Sequence, residues 1–257
     1  MGKIVFAVHC HPDDIEFMMA GTLFRLKEEG YELHYMNLAN GCYGSAQYSK
    51  EKAIIVRRNE ALAASDFLGA VYHESIVDDL TVFYTPELIK KTMAVIREVK
   101  PDILLLPSPE EYMEDHTNTC RIGVTAAFCR GMPNYPSIPE KPAIEGEMAV
   151  YHSMPYGLTD GLRHKIEPDL YVDIDKVMGE KTQMLSFHKS QKEWLDKSQG
   201  IDSYLATMQE MSAQMGKDSG KFRYAEGWRR HSHLGFSAKE ITPLEDIFLK
   251  RGSLHRT

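Results

Sequence analysis

His11-Pro12-Asp13-Asp14 concentrates an imidazole and two carboxylates in four consecutive residues. A His and an Asp three apart in a proline-stiffened turn can aim at one metal ion, which leaves Asp13 free beside it. A helix-capping role, common for Asp, accounts for one carboxylate and leaves His11 and the other unexplained. A second cluster reads Pro107-Ser108-Pro109-Glu110-Glu111-Tyr112-Met113-Glu114-Asp115-His116. If the fold brings the two together, His11, Asp14 and His116 offer two imidazoles and a carboxylate with a fourth position open. That donor set is a common catalytic zinc shell. It also suits Fe²⁺, so Zn²⁺ is the expected ion and Fe²⁺ the second choice.

The elements around these clusters show how they can meet. Lys3 to His9 is a β-branched and aromatic run that predicts a buried strand. Ile15, Met19, Leu23 and Leu26 then share one face of a helix that Gly30 ends. A strand over Glu32 to Leu38 and a polar loop over Asn40 to Tyr48 follow. Ile54, Ala61, Ala64 and Leu68 line the next helix, Gly69 stops it, and a short strand begins at Val71. Thr85-Pro86 reads as an N-cap with proline at the first helical position. Ile89, Met93 and Ile96 form that helix's apolar stripe. Ile103 to Leu106 has the continuous apolar character of a central parallel strand, with a helix predicted from about Thr117. This alternation predicts an α/β fold: a Rossmann-like, doubly wound, mostly parallel sheet with helices on both faces. Such sheets bind ligands at the carboxyl ends of their strands, where strand order reverses. Both clusters directly follow a predicted strand.

Beyond about residue 131 the texture changes. Pro133, Pro136, Pro139 and Pro142 punctuate a loop, and strands are predicted over Met148 to His152 and Leu170 to Ile174. Asp175 reads as the N-cap of a helix through His188. Residues 190–216 read as helical and 217–257 as irregular. The chain therefore divides into an α/β catalytic region, 1–189, and a helical and irregular C-terminal extension, 190–257. The extension is read as part of the same domain, serving as a lid or an oligomer contact.

Composition narrows the function. The chain has 257 residues, 43% of them hydrophobic, enough for a core without disulfides. Thirty basic against 37 acidic side chains give a net charge of −7, which argues against nucleic acid as a partner. No apolar run is long enough for a membrane span, and the apolar stretch Ile4 to Val8 is too short for a signal-peptide core. Cys10, Cys42, Cys120 and Cys129 show no C-x₂-C spacing, so they read as reduced thiols of a cytoplasmic protein.

His11-Pro12-Asp13-Asp14, Gly21-Thr22-Leu23, Arg57 and Glu60 with Gly69, Pro101-Asp102 and Asp115-His116 together resemble the PIG-L/LmbE-type metal-dependent de-N-acetylases. The resemblance runs from residue 3 to about 130 and resumes at Asp173 and His188-Lys189-Ser190-Gln191. It implies that His11, Asp14 and His116 are zinc ligands and that Asp13 is the general base. It also implies an N-acetylglucosaminyl-type conjugate as substrate and places Arg57 near the substrate pocket. The chain departs from the family at Met113, where a His commonly precedes the Asp-His pair. Asp115 is then expected to orient a ligand.

His188, His231 and His233 are candidates for the missing donor. The preferred reading, however, is that His188 is an ordinary helix residue and the other two are solvated surface. Arg57 and Glu60, one turn apart, could equally form a surface ion pair. Asp78-Asp79 could bind sugar hydroxyls or be turn carboxylates. The aromatic and Arg-rich run Tyr224 to Arg229 suggests a homo-oligomer contact. The leading reading is a zinc-dependent hydrolase that removes an acetyl group from a small-molecule amino-sugar conjugate. A non-catalytic sugar-binding protein on the same fold is the alternative. A glycosyltransferase using Asp173-Ile174-Asp175 ranks behind it, because it leaves His11 and His116 idle.

Overall fold

A computed structural model describes residues 3–199 and 204–257. The N-terminal apolar run forms β1 (Ile4–His9), which pairs in parallel with β2 (Glu32–Asn37), and β2 pairs with β3 (Val71–His73). On its other side β1 pairs in parallel with β4 (Ile103–Leu106), which pairs with β5 (Ala149–Ser153). Strand order reverses between β1 and β4, and both acidic clusters leave the sheet at that point. Three further strands, β6 (Leu170–Asp173), β7 (Ala225–Arg230) and β8 (Leu254–Arg256), complete the order β3-β2-β1-β4-β5-β7-β6-β8 through antiparallel pairs.

Alternation along β1 separates two cores. Val5 and Ala7 pack with Leu23, Leu26 and Trp228 on one face, while Phe6 and Val8 pack with Met93, Ile96 and Ile122 on the other. The helices fall on both faces accordingly. The helix expected after β1 is broken at Met19 (φ −131°) into α1 (Asp14–Met18) and α2 (Ala20–Glu28). Ser49 caps α3 (Lys50–Leu68) by accepting from the Lys52 N–H, and Thr85 caps α4 (Pro86–Val99) through the Leu88 N–H. The next helix, α5 (Glu114–Cys129), starts three residues before Thr117, so Asp115 and His116 occupy its first turn. After it come α6 (Met178–Leu185), α7 (Lys189–Gln199), α8 (Tyr204–Asp218) and α9 (Pro243–Phe248).

Two expectations need correction. Asp175 does not cap a helix; its carboxylate accepts the Tyr224 N–H at 2.5 Å, and a single 3₁₀ turn separates it from α6. Residues 217–257 are not irregular, since they supply β7, α9 and β8. Hydropathy hides β7 because its inward positions include Glu226, a charge that pays its desolvation cost through a buried ion pair with Lys181 at 2.6 Å. Among the described residues no helix is long and apolar enough to cross a membrane.

Candidate metal centre

Parallel pairing of β1 with β4 sets the 11–14 turn against the first turn of α5. His116 Nε2 lies 3.2 Å from His11 Nδ1 and 3.2 Å from Asp14 Oδ2, and the last two atoms are 3.5 Å apart. Ligand atoms of a tetrahedral zinc, each about 2.0–2.2 Å from the ion, are about 3.3–3.6 Å apart. The triangle therefore fits such an ion without rearrangement. Both rings are turned by a carboxylate. Glu111 Oε2 is 2.6 Å from His116 Nδ1, and Asp115 Oδ2 is 3.3 Å from His11 Nε2. A carboxylate only accepts, so these nitrogens carry protons, and His116 Nε2 and His11 Nδ1 face Asp14 as the nitrogens that a cation would take in place of their protons. The carboxylates sit where they would hold the rings in a carboxylate–histidine–metal arrangement.

His9, read in the sequence only as a strand end, also reaches the site, with Nδ1 2.9 Å from Asp14 Oδ2. That nitrogen already accepts the Cys10 N–H at 2.9 Å, which leaves His11 the better donor. Charge in the site is lopsided. Burial raises the Asp14 carboxyl, yet His116, His9 and His11 hold it well below the ordinary range. Burial lowers His116, but Asp14 and Glu111 push it up to about 10. Asp14, Glu111 and Asp115 face the rings of His9, His11 and His116, and a divalent cation would replace the protons that those carboxylates favour on His11 and His116.

Asp13 stands beside this triangle at φ 108°, a left-handed conformation rare outside glycine that Asp and Asn tolerate best. Its Oδ1 accepts from Arg57 Nη2 at 3.2 Å, and its Oδ2 accepts from the Tyr204 hydroxyl. Burial raises its pKa to about 6; Arg57 opposes that rise and Asp14 adds to it. Arg57, buried on α3, also donates to the Pro12 carbonyl and to Gln191. It does not pair with Glu60, which instead accepts the Ser190 N–H at 2.9 Å and hydroxyl at 2.6 Å. Both residues thus anchor the start of α7, and the surface ion pair is absent. Asp79 accepts the Gly41 and Tyr43 N–H groups at 2.7 and 3.0 Å, which folds the Asn40-to-Tyr48 loop over the site. Gly41 has φ 77°, and a Cβ there would meet Arg57 Nε at 2.9 Å, so this loop position requires glycine.

His11, Asp13, Asp14, Arg57, Asp79 and His116 all line one cavity of about 280 Å³. Phe17, Tyr43, Tyr112, Tyr156, Trp194 and Tyr204 give it aromatic walls, and Met113 also borders it. His188 is not among the lining residues. It is fully buried, with Nε2 2.9 Å from Glu16 Oε1, a carboxylate that also accepts the Tyr35 hydroxyl at 2.9 Å. His233 lies elsewhere, beside Met148 and Arg230. Neither takes the place of the histidine missing at Met113. Asp173 Oδ1 accepts the Asp175 N–H at 2.9 Å, so that pair closes a local turn. Sequence reasoning assigned no role to His9, Glu111, Gln191 or Tyr204. A histidine ending a buried strand, and an acidic residue five before a candidate ligand, were available signals for the first two. Gln191 lay in the His188-Lys189-Ser190-Gln191 segment of the resemblance without a role, and nothing marked Tyr204.

The chain has known relatives. The PIG-L family profile, described as GlcNAc-PI de-N-acetylase, matches residues 6–127. Diacetylchitobiose deacetylase of Thermococcus kodakarensis is 29% identical over 233 residues, covering 88% of this chain and 82% of that one. The 4-oxalmesaconate hydratase of Pseudomonas putida is 25% identical over 189 residues, 70% of each chain. The solved N,N'-diacetylchitobiose deacetylase of Pyrococcus horikoshii has a TM-score of 0.74 at 24% identity, covering 94% of this chain and 88% of that one. The family profile that matches residues 6–127 is thus the one that the His-Pro-Asp-Asp and Asp-His motifs resemble.

Proposed function

We propose that this protein is a metal-dependent hydrolase that removes the acetyl group from an N-acetyl-amino sugar, with His11, Asp14 and His116 as ligands of Zn²⁺ and Fe²⁺ as the alternative ion. The observation that carries the reading is the donor triangle with an independent carboxylate, Asp13, beside it in an aromatic-lined cavity. The deacetylase relative from Thermococcus supports the amide chemistry. When bound, the ion supplies Lewis acidity, which acidifies water and polarises an amide carbonyl.

The protein's own groups do the rest. Asp13 takes a proton from the attacking water and returns it to the leaving amine. Arg57 and Tyr204 fix the orientation of its two oxygens. Glu111 and Asp115 hold the ligand rings, and Asp79 holds the loop that closes one wall. Aromatic faces suit the apolar faces of a sugar ring and exclude bulk water. The four cysteines are unpaired, three of them buried, which supports a cytoplasmic setting. A homo-oligomer remains part of the reading, but not through Tyr224 to Arg229, which the sheet takes up as the internal strand β7 with Trp228 fully buried.

Elemental analysis of the purified protein, coupled to acetate release from a panel of N-acetyl-amino sugars, tests it. About one zinc or iron per chain with acetate release is the expected result. Metal without acetate release across the panel points to other water chemistry at the same centre, the hydratase relative being the precedent. No metal after addition of zinc removes the hydrolase reading.

A further inference from the structure

The segment 107–113 borders two cavities. Glu111 to Met113 line the metal centre, whereas Pro109 lines a second, open groove of about 380 Å³. Its walls include Arg121 and Thr125 from α5, His152 from β5, Arg229 and Arg230 from β7, and His231 just beyond. In a chain of net charge −7 this concentration of cationic side chains is unusual. Two of the arginines are compensated. Arg229 pairs with Glu110, and Arg230 has Glu240 at 3.2 Å and Glu245 at 3.5 Å. Arg121 has no carboxylate partner among the described residues, and its guanidinium lies 4.8 Å from the centre of the Tyr84 ring. Its charge and hydrogen-bond donors are therefore unspent.

Hydrogen bonding fixes how the histidines face this groove. The Pro107 carbonyl, which can only accept, lies 2.9 Å from His152 Nδ1, so the proton is on that nitrogen. Burial pushes His152 down to about 4, so the ring is neutral and its Nε2 is bare. His231 Nδ1, 2.9 Å away, must then donate to it. His231 Nε2 then carries the ring's lone pair and can only accept, so it offers an anion no donor. Ser232 Oγ accepts the Leu234 N–H at 3.3 Å and keeps its own proton to give.

We propose that this groove binds a small oxyanion, a phosphate or a carboxylate, held by the Arg121 guanidinium with the Ser232 hydroxyl as a further donor. A planar guanidinium matches the paired oxygens of both groups. The anion is either free in solution or carried on a larger ligand such as a sugar phosphate. The site shares no side chain with the metal centre and does not depend on the reaction assigned there.

Calorimetric titration of the metal-loaded protein at constant ionic strength, with inorganic phosphate and with glucosamine 6-phosphate, tests the assignment. Saturable binding is expected that survives His116→Ala and weakens about tenfold or more in Arg121→Ala. Equal affinity for the two probes identifies the free ion as the occupant, and tighter binding of the sugar phosphate identifies an anion carried on a larger ligand. The proposal is overturned by an absence of saturable binding at millimolar concentrations. It is equally overturned by affinity that is unchanged in Arg121→Ala, or by binding that disappears with His116→Ala and so belongs to the metal centre.

Discussion

Asp13 is the residue on which the proposed chemistry turns, and its surroundings make it separable from the ligands. Asn fits the same left-handed backbone position and the same volume but cannot take a proton. Asp13→Asn should therefore keep its metal while hydrolysis falls by roughly 10²- to 10⁴-fold, the usual worth of a positioned base. Elemental analysis and kcat on the same sample check both halves, and retained turnover would remove Asp13 from the role. Because burial raises Asp13 to about 6, the ionised base is lost as pH falls through that value. Wild-type kcat/KM should decline below about pH 6, and the residual activity of Asp13→Asn should lack that limb. Glu111 acts one step further out. Glu111→Gln keeps an acceptor for His116 Nδ1 but loses the charge, so zinc affinity should drop roughly 10- to 100-fold in a chelator competition. Unchanged affinity would show that Glu111 does not tune the ligand. The contrast between the two residues explains what could be read in advance. His11, Asp13, Asp14, Asp115 and His116 sit in short motifs whose neighbours are fixed by the chain. The use of Tyr204 and Gln191 depends on which segments the fold brings together, which local sequence does not record, whereas Glu111 stood close enough to His116 to be considered.

At the scale of elements, helices with apolar stripes and explicit ends were readable: Thr85-Pro86 opens α4, and Gly69 closes α3 at φ 77°. The break at Met19 was not, because Ile15, Met19 and Leu23 keep helical spacing across it and all three remain buried. Nor was the early start of α5, since Met113 gives no side-chain cap to announce it. Packing constraints between elements are equally invisible to periodicity, and α8 shows one. A Cβ at Gly216 would lie 2.4 Å from the Arg223 carbonyl oxygen, in the turn that leads into β7. Backbone cannot swing aside as a side chain does. Gly216→Ala should therefore cost about 1–3 kcal/mol despite alanine's better helix propensity. Gly179, on α6, has nothing within 4 Å of its Cβ position, so Gly179→Ala should be neutral or stabilising. Thermal melts of the two variants decide it; equal melting temperatures would mean that α8 can slide away from the turn. Because α8 carries Tyr204, such sliding would also show in the activity of Gly216→Ala.

At the scale of the whole molecule, the open question is whether residues 190–257 are an appendage or a structural part of the α/β unit. The sheet argues for the second: β7 lies between β5 and β6, so removing it would separate β6 and β8 from the parallel strands. One buried carboxylate ties the regions together. Glu226 on β7 accepts the Gly21 N–H at 2.8 Å and the Thr22 N–H at 2.7 Å, and receives Lys181 Nζ from α6 at 2.6 Å. Trp228, fully buried on the same strand, donates to Thr22 Oγ1 at 2.9 Å. The same α2 follows directly on the helix that begins at Asp14. Glu226→Ala would leave an unpaired ammonium and two unsatisfied N–H groups in the core, where breaking a buried pair costs about 3–5 kcal/mol. If the extension is integral, that loss appears as one cooperative transition shifted to lower denaturant, with metal release and loss of secondary structure at the same midpoint. If it is an appendage, the metal-binding region keeps its own midpoint while a separate early transition appears. The backbone pairing of β7 on both edges, together with the link to α2, makes the single transition the expected result.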